Sequence, residues 1–419
     1  MRVSLLTVGD ELLIGQVTDT NAAFIGQYLS EHDISLVRSM TVADTLGDIV
    51  NALAHLRQDV DAVLVTGGLG PTEDDLTLEA LALHLDRPLQ FDAAVFERIA
   101  HIFEHIIKRP LSDSHRRQAM LPEGAVVLTN TQGTAPGVWL EADGQVLIAM
   151  PGVPREMKYL LRAEVVPKLT ARFAVSSAAH RTLLFSGWGE TQIADAIKPV
   201  VDSFDEHTSI AYLPGLGTVR LRLTARGASA HLLDPKLQEL SLKLRSQLPE
   251  YLFVSDDGVS LVASVHQLLD ELGATVAVAE SCSGGAAGFL LTQQPGASRA
   301  FLGGIIAYDN RIKHELLGVP ERTLEEAGAV SEAVVSAMAQ GARENLGATY
   351  AIAASGIAGP TGGTPDKPVG TIWISAAGPR GVRTKQLSLG RDRSTNMEYT
   401  AVAAINLLRR QLLEDLANR

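Results

Sequence analysis

The sequence predicts an α/β protein of three domains, and three observations carry that reading. The chain has 419 residues, more than one core of ordinary size encloses at roughly 100–200 residues per domain. Its first and last segments repeat one pattern, in which a short β-rich run ends in a glycine-containing turn and leads into a helical pattern, as parallel strand–loop–helix units do. Between them the texture changes to alternating strands and one amphipathic helix. The expected domains are 1–171, a three-layer α/β unit; 172–255, a small α+β module; and 256–419, a second α/β unit.

In the first segment the apolar runs are VSLLTV, DAVLVT and QVLIAM, with TNAAFIGQYLSEH and LTLEALALHL as helices between them. In the last segment the runs are ATVAVA, GGIIAY, TYAIAAS and GTIWISAA, followed by a long terminal helix near TNMEYTAVAAINLLRRQLLEDL. In the middle, HRTLLFSG and GTVRLRLTA alternate apolar with polar or basic residues, as half-exposed strands do. DPKLQELSLKLRSQL reads as an amphipathic helix, and VSDDG at 254–258 reads as a linker.

Lysine and arginine total 36 against 48 aspartates and glutamates, a net charge of −12. An acidic surface disfavours nucleic-acid backbones and anionic membranes but leaves room for a small phosphorylated ligand. One cysteine, Cys282, excludes an intrachain disulfide and a thiolate metal cage. The opening MRVSLLTVGDELL is too short an apolar run for a signal peptide or a membrane span. A cytoplasmic protein is expected.

Four motifs in the last segment carry chemistry. In AESCSGG, Gly284 and Gly285 open a helix, so residues 280–285 form a strand-to-helix turn whose backbone N–H groups suit an anion. In GASRAFLGGIIAYDNRIKHELLG, Ser298 precedes a strand ending at Tyr308, and Asn310 is placed to cap the next helix. Lys313 then falls in the first helical turn, where the helix dipole favours the neutral amine that a serine–lysine hydrolase needs as base. AASGIAGPTGG is a second glycine-rich loop at a strand end. GRDRSTN brings Arg391 and Arg393, suited to phosphate or carboxylate. Cys282 reads as a packing residue, since no histidine stands in these motifs except His314.

Together AESCSGG, YDNRIKHELLG, GAVSE, SGIAGPTGG and KPVGTIW, in that order over roughly 256–415, resemble the C-terminal domain of the CinA family, shared with stand-alone nicotinamide-nucleotide amidases. The resemblance implies hydrolysis of nicotinamide mononucleotide without a cofactor. It places the nucleophilic serine on Ser298, the tyrosine on Tyr308 and the lysine on Lys313, with Ser281, Gly356 and Arg393 at substrate-binding positions. Ser283 stands where the family usually has threonine, and Asp309 where it often has serine.

In the first segment VGDELLIGQVTDTN and VTGGLGPTEDDLT each follow a strand and precede a helix. Asp10, Glu11, Asp74 and Asp75 should therefore gather at the carboxyl ends of neighbouring strands. Gly67, Gly68 and Gly70 permit close approach to a phosphate, and clustered carboxylates suit a hydrated divalent ion. With GTAPG at 133–137 and MPGVPREM at 150–157, this segment resembles the molybdopterin-binding domain of molybdenum-cofactor biosynthesis proteins in its CinA-type variant. That implies a metal-dependent ADP-ribose pyrophosphatase, with Asp10, Asn21, Asp44, Asp75 and Glu156 as site residues and Asp10 and Asp75 as metal ligands. The middle segment resembles the KH-type linker of long CinA proteins; GWGE and GLGT supply no GxxG loop with basic flanks, so no nucleic-acid partner is expected. A homodimer is.

Overall fold

The computed structural model describes every residue except 112, 174–176, 228, 229 and 419. The chain divides into two compact units, Met1–Ala178 and Ala179–Arg419.

In the first unit a six-stranded sheet runs in the order Ser35–Val42, Arg2–Val8, Ala62–Thr66, Gln145–Met150, Gly137–Ala142, Val126–Leu128. The first four strands are parallel. The three expected apolar runs thus become adjacent central strands. Both faces are covered because successive side chains point opposite ways. Val3 and Leu5 pack with Ile25 and Leu29 of the helix Thr20–Glu31. Leu6 and Val8 pack instead with Ile49 and Leu53 of the helix Leu46–Leu56 and with Leu81.

The second unit contains two sheets. The middle module has four strands in the order Thr208–Gly215, Thr218–Gly227, Ser177–Ser186, Phe253–Asp256. The expected linker is therefore shorter than VSDDG. Residues through Asp256 complete this sheet, and only the turn at Asp257 and Gly258, both at positive φ, precedes the helix Leu261–Leu272. The two glycine turns of the module lie against neighbours: a Cβ on Gly217 would meet Val402 at 2.9 Å, and one on Gly187 would meet Leu252 at 3.2 Å.

One buried arginine ties the module to the C-terminal helix Arg393–Ala417. Arg409 is 1% exposed. It donates to the carbonyl oxygens of Phe253 (2.8 Å) and Tyr251 (2.5 Å) and to Asn406 Oδ1 (3.1 Å). Burial, with Arg410 nearby, lowers its pKa to about 10. Arg409→Met should strand these acceptors and cost about 3 kcal/mol, measured as a lowered urea midpoint of the full chain.

The C-terminal sheet has the order Phe301–Ile306, Val276–Glu280, Tyr350–Gly356, Thr371–Gly378, Gly381–Ser388. The first three strands are parallel and the last two antiparallel. The strand Gly381–Ser388 is absent from the sequence reading, because VRTKQLS at a sheet edge carries no apolar run. Val276 and Val278 face Ile405 and Leu408 of the terminal helix, whereas Ala277 and Ala279 face Val334, Val335 and Met338.

Candidate functional sites

At the carboxyl edge of the C-terminal sheet, the Val276–Glu280 strand turns sharply through Ser281–Gly285 into the helix Ala286–Thr292. Gly284 and Gly285 have φ of +63° and +101°, so they are hinge residues. They do not form the expected anion site. Glu280, 1% exposed, folds under the elbow and accepts from the amides of Gly285 (3.0 Å), Ala287 (3.0 Å) and Gly288 (2.8 Å). The helix dipole is already capped by a carboxylate of the chain itself. Among the described residues, the Cys282 and Ser283 amides have no backbone acceptor.

Lys313 sits in the helix Asn310–Leu317, whose N-cap is Asp309, not Asn310. The Asp309 carboxylate accepts from the Arg311 amide at 2.8 Å, a job serine also performs; this accounts for the exchange at that position. Lys313 is 2% exposed and donates to the Tyr308 carbonyl oxygen at 3.0 Å. Burial pushes its pKa down, while Asp309 and the Cys282 thiol oppose the shift. Desolvation thus does the work that the sequence reading gave to the helix dipole. Arg393 Nη2 donates to the Tyr308 hydroxyl at 3.0 Å and Nη1 to the Gly359 carbonyl at 2.6 Å. This draws the terminal helix, the SGIAGP loop and Tyr308 together. Arg391 turns away onto the Tyr399 ring.

Glu280 pairs with Ile306 and its carbonyl oxygen accepts from the Ala307 amide at 2.7 Å, so the elbow and the Tyr308–Lys313 segment leave the same sheet edge. Burial raises the Cys282 thiol to about 12, with Glu280 adding to the shift, so Cys282 stays protonated. On either side of it stand Ser281 and Ser283. Ser283 Oγ is sealed from solvent and has no partner. Ser281 is 8% exposed, and its hydroxyl is not among the sealed ones.

Ser298 is elsewhere. It lies in the turn Ala297–Arg299 before the strand Phe301–Ile306, whereas Tyr308 and Lys313 follow that strand. The strand is parallel to Val276–Glu280, with Phe301 paired to Val276 and Ile306 to Glu280. Six residues at about 3.3 Å each carry the chain about 20 Å from one sheet edge to the other. Within one chain Ser298 and Lys313 do not meet. Gly356 also has a packing reason: a Cβ there would lie 2.8 Å from Ile372 Cα across the sheet.

In the N-terminal unit a cleft of about 430 Å³ opens where Val8, Thr66 and Met150 end their strands. It gathers Asp44, Gly67, Gly68, Asp74, Asp75 and Glu156 of the expected set, together with Glu11, Gly70, Gln118 and Thr134. Gly67 and Gly68 have φ of +106° and +64°. Cβ atoms on them would meet Val8 O at 2.2 Å and Thr77 Oγ1 at 2.4 Å. The amides of Gly68 and Leu69 have no backbone acceptor among the described residues and suit a phosphate.

Asp10 and Asn21 do not line the cleft but brace it. The Asp10 amide donates to Asp44 Oδ2 at 2.8 Å and the Asp44 amide to Asp10 Oδ1 at 3.3 Å. Asn21 Nδ2 donates to the Gly152 carbonyl at 2.7 Å. Asp75 accepts from Gly70 N (2.7 Å), Thr72 N (2.8 Å) and Thr72 Oγ1 (2.5 Å), which uses both carboxylate oxygens. The expected ligand pair Asp10 and Asp75 is thus already engaged in holding the loops around the cleft. No group of three or more His, Cys, Asp or Glu converges on one point among the described residues. Of the five carboxylates lining the cleft, Asp75 is tied to its own loop and Glu156 to Asn130, which leaves Asp44, Glu11 and Asp74. Burial raises the Asp44 pKa, and Asp10, Glu11 and Asp74 raise it further. A cation would relieve that repulsion, and a hydrated Mg²⁺ needs only one or two carboxylates beside substrate phosphates.

Glu156 is also shifted up by burial, against Asn130 and Arg98. Asn130, buried and missed in the sequence reading, donates to Glu156 Oε2 (2.5 Å) and to the Ala135 carbonyl (2.8 Å). An asparagine three residues before GTAPG was the available signal. Asp75→Ala should release the loop. Exchange of the Gly70 amide should accelerate about tenfold or more, from losing a charge-assisted bond, read by hydrogen exchange.

The fold and its two polar clusters define a multidomain α/β protein with a cluster at the carboxyl edge of each parallel sheet. Three family models match in chain order: "Probable molybdopterin binding domain" at 4–171, "Damage-inducible protein CinA KH domain" at 180–254 and "CinA C-terminal domain" at 259–412. A CinA-like protein of Cytophaga hutchinsonii is 40% identical over 410 residues, 98% of either chain. Another, from Salinibacter ruber, is 40% identical over 413 residues, 98% of this chain and 100% of its own. A crystal structure titled as CinA with unknown function, from Thermoplasma acidophilum, is 36% identical over 39% of this chain and 94% of that one, with a TM-score of 0.37. The chain belongs to the CinA family. No helix among the described residues is long and apolar enough to cross a membrane.

Proposed function

We propose that the C-terminal domain hydrolyses nicotinamide mononucleotide to nicotinate mononucleotide and ammonia. The observation that carries this is the buried Lys313, held against the Tyr308 carbonyl with its pKa lowered, at the same sheet edge as a hydroxyl-bearing elbow. In this reading Ser281 Oγ attacks the carboxamide carbon while Lys313 Nζ takes the hydroxyl proton. The amides of Cys282 and Ser283 receive the oxyanion. Collapse of the adduct breaks the C–N bond, Lys313 returns the proton to the leaving ammonia, and water then cleaves the acyl ester. Arg393, steadied by Tyr308 and Gly359, is positioned for the substrate phosphate. Ser281 takes the role first given to Ser298, because its hydroxyl shares a sheet edge with Lys313 and is not sealed as Ser283 Oγ is.

We further propose that the N-terminal cleft hydrolyses the diphosphate bond of ADP-ribose. ADP-ribose would yield AMP and ribose 5-phosphate there. Asp44 with Glu11 or Asp74 would hold a divalent cation, which polarises a phosphoryl oxygen when bound, and the Gly67–Gly70 loop would receive the diphosphate. The protein would work in the cytoplasm, as a homodimer, on these small nucleotides. A chelator separates the two activities: ammonia release should persist, since its groups all belong to the protein, and ADP-ribose hydrolysis should stop. Loss of both, restored together by a divalent ion, would contradict the assignment.

A further inference from the structure

Gln118 is 2% exposed and lines the N-terminal cleft, against the Gly67–Gly70 loop. Its Nε2 donates to the Leu69 carbonyl at 3.0 Å. That bond fixes which way the side-chain amide faces, because the reversed amide would set two carbonyl oxygens against each other. The other atom, Oε1, is buried and accepts from nothing in the protein. A buried acceptor without a donor is uncommon in a native fold and calls for a ligand, a water or an ion.

We infer that Gln118 Oε1 is a specificity determinant of this cleft, accepting a hydrogen bond from an O–H group of the occupant. The inference rests on the ADP-ribose reading and deepens it. A phosphate brings only acceptors at neutral pH, so it meets the Gly68 and Leu69 amides, not Gln118. The carboxylates Asp44, Glu11, Asp74 and Glu156 supply acceptors elsewhere in the cleft, but each can also take a cation. Gln118 is neutral and held in place, so it reads a hydroxyl without competing for the metal. The O–H belongs either to a sugar of the nucleotide or to a water on the bound ion. No sequence motif points to Gln118, which lies in SHRRQAM between the recognised segments.

Two full-length variants separate the acceptor from the Leu69 tether. Gln118→Met removes both polar atoms at similar volume, whereas Gln118→Glu keeps an acceptor and loses the tether. Calorimetric titration with ADP-ribose in Mg²⁺, and with Mn²⁺ alone, gives the readout. Gln118→Met should weaken ADP-ribose at least tenfold, and Gln118→Glu should bind it several-fold more tightly than Gln118→Met does. An unchanged Mn²⁺ affinity in Gln118→Met assigns the hydroxyl to the sugar; a parallel loss assigns it to the metal-bound water. Equal losses in both variants would make Gln118 a loop anchor and overturn the inference alone, as would wild-type binding by Gln118→Met. A wild-type chain that binds neither probe would overturn the reading of the cleft itself.

Discussion

Replacing Lys313 by methionine should lower turnover of nicotinamide mononucleotide by on the order of 10²-fold or more while leaving substrate affinity within a few-fold of wild type. The side chain keeps its length and stays among the same neighbours, but the proton acceptor is gone. Lysine ordinarily titrates near 10.4; burial moves Lys313 below that, over the opposing pull of Asp309. The base is the neutral amine, so kcat should rise with pH and level off at a pKa below the ordinary lysine value. The linkage has the same sign. Between the lowered folded pKa and the unfolded one, the unfolded chain holds one more proton, so Lys313's contribution to stability grows as pH rises through that window. Asp309→Asn should shift the rate profile further to the acid side, because it removes the carboxylate that favours the ammonium. Single-turnover ammonia release with calorimetric binding checks all three. A Lys313→Met chain that binds weakly but turns over normally would make Lys313 a phosphate ligand.

Ser281→Ala should be nearly inactive, with kcat reduced on the order of 10³-fold or more, since a nucleophile and its base fail as one unit. The double variant with Lys313→Met should be little worse than either alone. Ser298→Ala should retain turnover within a few-fold, because the Phe301–Ile306 strand separates it from Lys313. The opposite pattern would mean that Ser298 reaches Lys313 from a second copy of the chain. Mixing Ser298→Ala with Lys313→Met chains would then restore activity in the mixed species.

The architecture was legible because both parallel sheets announce themselves. VSLLTV, DAVLVT and QVLIAM, like ATVAVA and TYAIAAS, are buried on both faces, and such strands are continuous apolar runs. Gly381–Ser388 was not legible, since an exposed edge strand needs no apolar run. The sites were legible in their backbone turns, as at Gly67, Gly68, Gly284 and Gly285, all at positive φ. They were misread where the outcome depends on which partner wins. Glu280 fills the elbow amides that seemed ready for an anion. Asp75 spends both oxygens on its own loop. Ser298 is near Lys313 in sequence, yet a strand points away from its starting edge. Gln118 could not be found at all, because an unmet hydrogen bond exists only in three dimensions.

The most direct test of the account is ammonia release from nicotinamide mononucleotide by the purified full-length chain in the presence of chelator, with nicotinate mononucleotide measured alongside. The account predicts equimolar ammonia and nicotinate mononucleotide, unaffected by chelator and lost in Lys313→Met. Free nicotinamide in place of ammonia, or no turnover by a folded wild-type chain, would contradict it.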